Sequence, residues 1–170
     1  MSNRTTVPIV RVAELGDAET IYALSLRAIR GSAAEHYTPD QLEAWVSARS
    51  VDQHRALIEH TRTLIAMVDG EPAGFVAVAL EPWNTLERGE VDQLFVDPAY
   101  GGRGVARALL DAVADVATVT HASWRAAPVF ERNGYLPEET ETVHLNDQTL
   151  TRVRMRRTPR PPSRPPPPTL

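Results

Sequence analysis

The period of the apolar positions changes several times along the chain, and each change marks the boundary of an element. "VPIVRVAE" (7–14) mixes β-branched and apolar residues and predicts a first strand. "LGDAETIYALSLRAIR" then places Ile21, Leu24 and Ile29 on one helical face, with Asp17 as a candidate cap. In "HYTPDQLEAWVSA", Thr38 as N-cap and Pro39 at the first helical position predict a second helix whose Leu42, Trp45 and Val46 share a face. A short helical stretch over 51–59 leads into two apolar runs joined by "VDGEP", where Asp69-Gly70 signals a tight hairpin. "EVDQLFVDP" reads as a fourth strand halted at Pro98, and a glycine-rich turn then opens a helix with Val105, Leu109, Leu110 and Val113 in register. A fifth strand fits "VATVTHA" (116–122) and a helix fits "SWRAAPVFERN" (123–133), stopped by Gly134. "ETVHLNDQTLTRVRM" closes the pattern as a hairpin turning at Asn146-Asp147.

This order predicts an α+β fold: a mixed, mostly antiparallel central sheet flanked by helices, with one parallel crossover carried by the glycine-rich helix. At 170 residues, 42% apolar and 24% charged, the chain has the length and composition of one globular domain. That domain is expected over 1–157. The terminal "TPRPPSRPPPPTL" (158–170) has almost nothing to bury and is expected to be a disordered, locally polyproline II tail.

Composition narrows the chemistry. There is no cysteine, so disulfides, thiolate metal sites and a cysteine nucleophile are excluded, and no metal site is expected. Lysine is absent as well, and all 18 basic residues are arginine. The 22 acids all lie at or before Asp147, while six arginines lie at or after Arg152, so an acidic body precedes a basic end. An acidic body disfavours a nucleic-acid partner and suits a cationic small molecule or amine. No apolar run approaches the length of a membrane span and the N-terminus lacks an apolar leader, so neither a membrane nor export is expected, and the expected location is the cytoplasm.

"VDPAYGGRGVARALL" raises the question of a ligand. Backbone N–H groups at a helix N-terminus lack intrahelical partners, and a glycine turn lets an anion approach them. Neither the P-loop pattern nor the dinucleotide GxGxxG pattern is present, which disfavours a nucleoside triphosphate or dinucleotide. Together with "ASWRAAPVFERNGY", the segment "VDQLFVDPAYGGRGVARALL" resembles the acyl-CoA-binding core of the GNAT superfamily of N-acetyltransferases. The likeness runs from about Val7 to Met155.

The resemblance implies acetyl-CoA as co-substrate and an amine as acceptor, either a small molecule or a protein N-terminus, and leaves a homodimer open. It implies that the amides of Gly101, Gly102, Arg103, Gly104, Val105 and Ala106 hold the pyrophosphate. Gly101 departs from the family's usual glutamine or arginine there. It further implies that Leu94, Phe95 and Val96 pair with the pantetheine arm, that a backbone N–H near Val96 polarises the thioester carbonyl, and that Ser123 ends the fifth strand beside the coenzyme. Phe130 stands where the family commonly has a tyrosine that protonates the leaving thiolate, and two expectations stand side by side for it: an apolar wall beside the sulfur, or plain core packing. Amine acetylation needs a base. Glu90 and Asp92, two apart on one strand, are the candidates, with His121 as a third. His36, Tyr37 and Trp45 fall where the family shapes its acceptor pocket. The competing expectation is a catalytically weak acyl-CoA-binding module.

Overall fold

The computed structural model describes residues 6–32, 35, 37–145 and 147–161. Seven strands form one sheet: β1 (Ile9–Val12), β2 (Arg62–Val68), β3 (Glu71–Val78), β4 (Glu90–Val96), β5 (Val119–Ser123), β6 (Leu136–Leu145) and β7 (Gln148–Arg156). Their order is β1-β2-β3-β4-β5-β7-β6, with β4 and β5 parallel and every other neighbour antiparallel. Among the described residues five α-helices accompany them: α1 (Ala18–Ser32), α2 (Pro39–Ser47), α3 (Val51–His60), α4 (Val105–Ala112) and α5 (Ala127–Arg132). The mixed, mostly antiparallel sheet flanked by helices is the fold expected from the pattern. Among the described residues, no helix is long and apolar enough to cross a membrane.

Alternation along the central strands divides the core between the two faces. Leu64, Ala66, Val76 and Val78 join Val105, Leu109 and Leu110 of α4, whereas Ile65, Phe75 and Ala77 meet Ile21 and Leu24 of α1 and Leu57 of α3. Leu109 and Leu110 have no accessible surface, and burial of each side chain is worth about 1.5–3 kcal/mol. The β2–β3 hairpin turns as expected, with Asp69 at φ 52° and Gly70 at φ 80°, the left-handed pair that a two-residue turn demands. Thr38 caps α2 through Gln41 N–H, also as expected.

Some expectations change. Asp17 does not cap α1: its carboxylate closes a preceding 3-10 turn by accepting from Glu14 N–H at 2.8 Å and takes two bonds from Arg11, at 2.8 and 2.9 Å. The last helix is shorter than expected, because Ser123–Ala126 forms a turn, with Ala126 N–H bonded to the Ser123 carbonyl at 3.1 Å. In the final hairpin Leu145 pairs with Gln148 and Asp147 has φ 63°, while Asn146 lies outside the described residues. Contacts continue past the boundary expected at 157/158. Arg160 N–H donates to the Ala114 carbonyl at 2.9 Å, and its guanidinium meets Asp111 at 2.5 Å. The rest of the Pro/Arg-rich segment, 162–170, lies outside the described residues.

A bulge in β4 and its short pairing with β5 open the sheet. Gln93 pairs with Ala77 and Val91 with Val78, so Asp92 is an extra residue, a β-bulge. The bulge shifts the alternation, so that Val91, Leu94 and Val96 share the α4 face while Phe95 joins the α1 face. It also bends the strand. β4 and β5 pair only through Glu90–Val119 and Val91–Thr120; beyond that point the two strands separate into a wedge, β4 following β3 and β5 following β7.

Candidate active site

The wedge has unpaired backbone along one wall. Asp97 N–H donates to the Ala73 carbonyl at 2.8 Å, and antiparallel pairs alternate between bonded and non-bonded types. The next pair, Val96 with Gly74, is therefore non-bonded, as is Leu94 with Val76. The N–H groups of Leu94 and Val96 consequently point away from β3, into the wedge. Gly74 permits this close pairing, since a Cβ there would lie 2.7 Å from the Phe95 carbonyl oxygen.

At the open end of the wedge the chain turns into α4. Asp97 secures the turn by accepting from Ala99 N–H at 3.0 Å and from Arg27 Nε at 2.8 Å. Gly102 and Gly104 both adopt φ 75°, and Gly104 is the N-cap of α4. A side chain on either glycine would meet nothing within 4 Å, so the space in front of the turn is open. The free amides of the first helical turn and the positive end of its dipole face that space.

A cavity of about 470 Å³ joins these features, a size suited to a small-molecule site. Of the residues expected to hold the coenzyme, Leu94, Phe95, Val96, Gly101, Gly102, Gly104, Val105, Ala106 and Ser123 line it. Arg103 does not: its guanidinium lies over the Tyr100 ring, 5.7 Å from the centroid. Phe130 is also placed elsewhere. It is 2% exposed in the α4-side core, edge-on to Tyr135 at 5.1 Å. The six-residue α5 instead presents Pro128, Val129, Arg132 and Asn133 to the cavity; these are i, i+4 pairs, and the helical period turns Phe130 inward.

Sequence reasoning missed several lining residues. Arg107, Arg125 and Arg132 make the α4–α5 wall cationic, and Trp124, 47% exposed, stands beside Ser123. Arg107 and Arg132 sit one turn into helices already recognised in the sequence, so helical spacing from the glycine turn and from Pro128 was the available signal.

The three base candidates separate. Glu90 and His121 lie together at the closed end of the wedge, outside the cavity lining. Glu90 is buried, accepting from Glu87 N–H at 3.2 Å and pairing with His121 Nδ1 at 3.3 Å. Arg154 donates to His121 Nε2 at 3.2 Å, which leaves Nδ1 as the protonated nitrogen, and Glu141 lies 3.8 Å from Nε2. Both side chains are thus engaged. Asp92 is different. It too lies outside the cavity lining, but its side chain is exposed to solvent, and desolvation by the surrounding protein pushes its carboxyl up, against the opposing effects of the Gln93 hydrogen bond and the Arg49 charge.

On the α1 face, Trp45 lines the cavity and packs on Phe95 at 6.2 Å. Tyr37 meets Trp45 edge-on at 5.7 Å; its hydroxyl donates to the Thr151 carbonyl at 3.3 Å and accepts from Trp124 N–H at 3.4 Å, and burial raises its pKa. His36 lies outside the described residues.

The strand bulge, the two parallel neighbours that part beyond it, and the glycine turn and helix at the open end together form the candidate site. The chain belongs to the acetyltransferase (GNAT) family, whose model matches residues 25–135. It is 30% identical over 151 residues to the uncharacterized N-acetyltransferase YafP of Escherichia coli K12, spanning 86% of this chain and 93% of that one. It is similar to the crystal structure of a GCN5-related N-acetyltransferase from Rhodopseudomonas palustris, with 30% identity, TM-score 0.78, and coverage of 90% of this chain and 96% of that one. YncA of Salmonella typhimurium, solved with acetyl-CoA, shares the fold at 19% identity and TM-score 0.64, covering 93% of this chain and 97% of its own.

Proposed function

We propose that the protein transfers an acetyl group from acetyl-CoA to a primary amine by direct attack of the amine. The observation that carries this reading is the wedge itself: free strand N–H groups at Leu94 and Val96, ending at a glycine turn ahead of α4. Acetyl-CoA supplies the acetyl group already activated as a thioester. Gly101 N–H is spent on the Pro98 carbonyl at 3.2 Å, against the expectation that it holds phosphate, so the fit of acetyl-CoA rests on three features of the wedge: amides facing open space at 102–106, three arginines on the adjacent wall, and a strand edge able to accept an extended chain as another strand would.

In this reading the amides of 102–106 bind phosphate, with Arg107, Arg125 and Arg132 adding positive charge. The edge of Leu94–Val96 orients the arm, and Val96 N–H donates to the thioester carbonyl, favouring negative charge as it develops on that oxygen. Asp92, reaching solvent with a raised carboxyl pKa, takes the amine proton through water. Glu90 and His121, each engaged by neighbours, hold the closed end of the wedge. Phe130 has no proton to give and stands in the core. The departing thiolate needs little help, since a thiol of pKa about 8.5 is a good leaving group, and water returns the proton.

The test is thiol release from acetyl-CoA against a panel of primary amines, with parent and Asp92→Asn protein. Amine-dependent release that falls at least about tenfold in the variant supports the reading. Coenzyme A binding without release for any amine would identify a binding module instead.

A further inference from the structure

Across the sheet from α4, Arg49 is held in an unusual way. It follows α2 and reaches under α1. Its Nε donates to Ser25 Oγ at 3.0 Å, and its NH2 group donates to His54 Nε2 at 3.1 Å and to Gln93 Oε1. His54 Nδ1 lies 2.7 Å from the Ser50 carbonyl and so carries the proton, which leaves Nε2 to accept from Arg49. The guanidinium lies over the ring of Phe95, 5.0 Å from the centroid. Phe95 and Trp45 both line the cavity. Arg49 therefore stands behind the wall that faces away from the glycine turn.

All three side-chain acceptors are neutral. Arg49 is part-buried, and no carboxylate lies within ion-pair distance of it among the described residues, whereas charges drawn away from water are ordinarily paired. Asp92 acts on it only through space and through Gln93, whose Nε2 makes a long 3.4 Å contact with Asp92. The two N–H groups of NH1 have no acceptor among the described residues. Burial lowers the guanidinium pKa to about 10, so the cation is present at neutral pH and short of counter-charge.

We propose that Arg49 is the receptor for a carboxylate on the acceptor, so that the acceptor class is small amines that also bear a carboxylate, as free amino acids do. This rests on the transferase reading above and specifies its second substrate. The Phe95 stack and three neutral acceptors hold the guanidinium plane before the ligand arrives, so little side-chain freedom is lost on binding. The opposite charges of the acceptor match a pair beside the cavity rather than in its lining, its carboxylate at Arg49 behind Phe95 and its ammonium toward the exposed Asp92.

The experiment measures acceptor binding by calorimetry in the presence of coenzyme A, which reads the site without turnover. Free α-amino acids are compared with their carboxamides and with the decarboxylated amines. At least one acid is expected to bind about tenfold or more tightly than its amide, as for a charge-assisted pair, and KM ratios are expected to follow. Gln93→Glu, which gives Arg49 an internal carboxylate without removing it, should abolish that preference. Arg49→Gln should do the same, with melting temperatures checking that each variant is folded. If every acid binds no better than its amide, or if Gln93→Glu keeps the parent preference, the proposal is overturned. Loss of coenzyme A binding in the parent would instead overturn the transferase reading.

Discussion

Replacing Gly104 tests the coenzyme site with two separable effects. Gly104 has φ 75° and ψ 17°, a left-handed conformation that costs an ordinary L-residue about 1–2 kcal/mol and costs asparagine and aspartate less. A Cβ there would meet nothing within 4 Å, so no steric penalty inside the protein is added. Gly104→Asn and Gly104→Asp should therefore lose similar, modest stability, and their difference isolates one negative charge. Two unit charges about 5 Å apart at an effective dielectric of about 20 repel by roughly 3 kcal/mol. Screening at physiological salt brings this to about half, or roughly a tenfold loss of affinity. Titration calorimetry with coenzyme A should then show Gly104→Asn weakened slightly and Gly104→Asp weakened at least about tenfold beyond it, with a gap that narrows in high salt. Equal affinity for the two variants would remove the phosphates from this turn.

Other outcomes follow from the same structure. Asp92→Asn should raise the melting temperature slightly at pH 7, because partial desolvation by the surrounding protein disfavours the ionised carboxylate although the side chain reaches solvent; the difference from the parent should close as pH falls and Asp92 takes up its proton. Asp17 behaves oppositely. The Arg11 hydrogen bond lowers its pKa, so its contribution is present above the ordinary carboxylate range and is lost as pH falls through the folded value; Asp17→Asn should be less stable than the parent at pH 7 and indistinguishable in strong acid. Leu109→Ala removes a side chain with no exposed surface beneath the glycine turn and should lower stability by about 2–5 kcal/mol by denaturant titration. A chain ending after Pro161 should melt with the parent, and one ending after Arg157 should melt lower, since it loses the Arg160 bonds to Ala114 and Asp111.

Local signals carried most of the fold. Period changes, the Thr38-Pro39 cap and the Asp69-Gly70 turn act within a few residues, and the elements they predict are present. The glycine turn was legible for the same reason, since its conformation depends on residues 101–104 themselves. Of the two expectations for Phe130, core packing is the one the structure shows; the motif names a position but not the direction it faces, and in a helix starting at Ala127 that direction is set by the Pro128–Arg132 and Val129–Asn133 pairs. The bulge at Asp92 was visible only as the uneven spacing of Val91, Leu94 and Val96, which a plain alternation of two does not register. The Arg49 cluster left no local trace, because its bonds join residues 24, 5 and 44 positions apart. Groups assembled by topology at such separations become legible only when the sheet order is known.

The central claim is direct acetyl transfer to an amine bound opposite the glycine turn. It is tested most directly by mass spectrometry of a single-turnover mixture of parent protein, isotopically labelled acetyl-CoA and an accepted amine. The label should appear in the amine in equal amount to the coenzyme A released, with none on the protein at any time. Label accumulating on the protein before it reaches the amine, or coenzyme A released with no acetylated amine, would contradict the account.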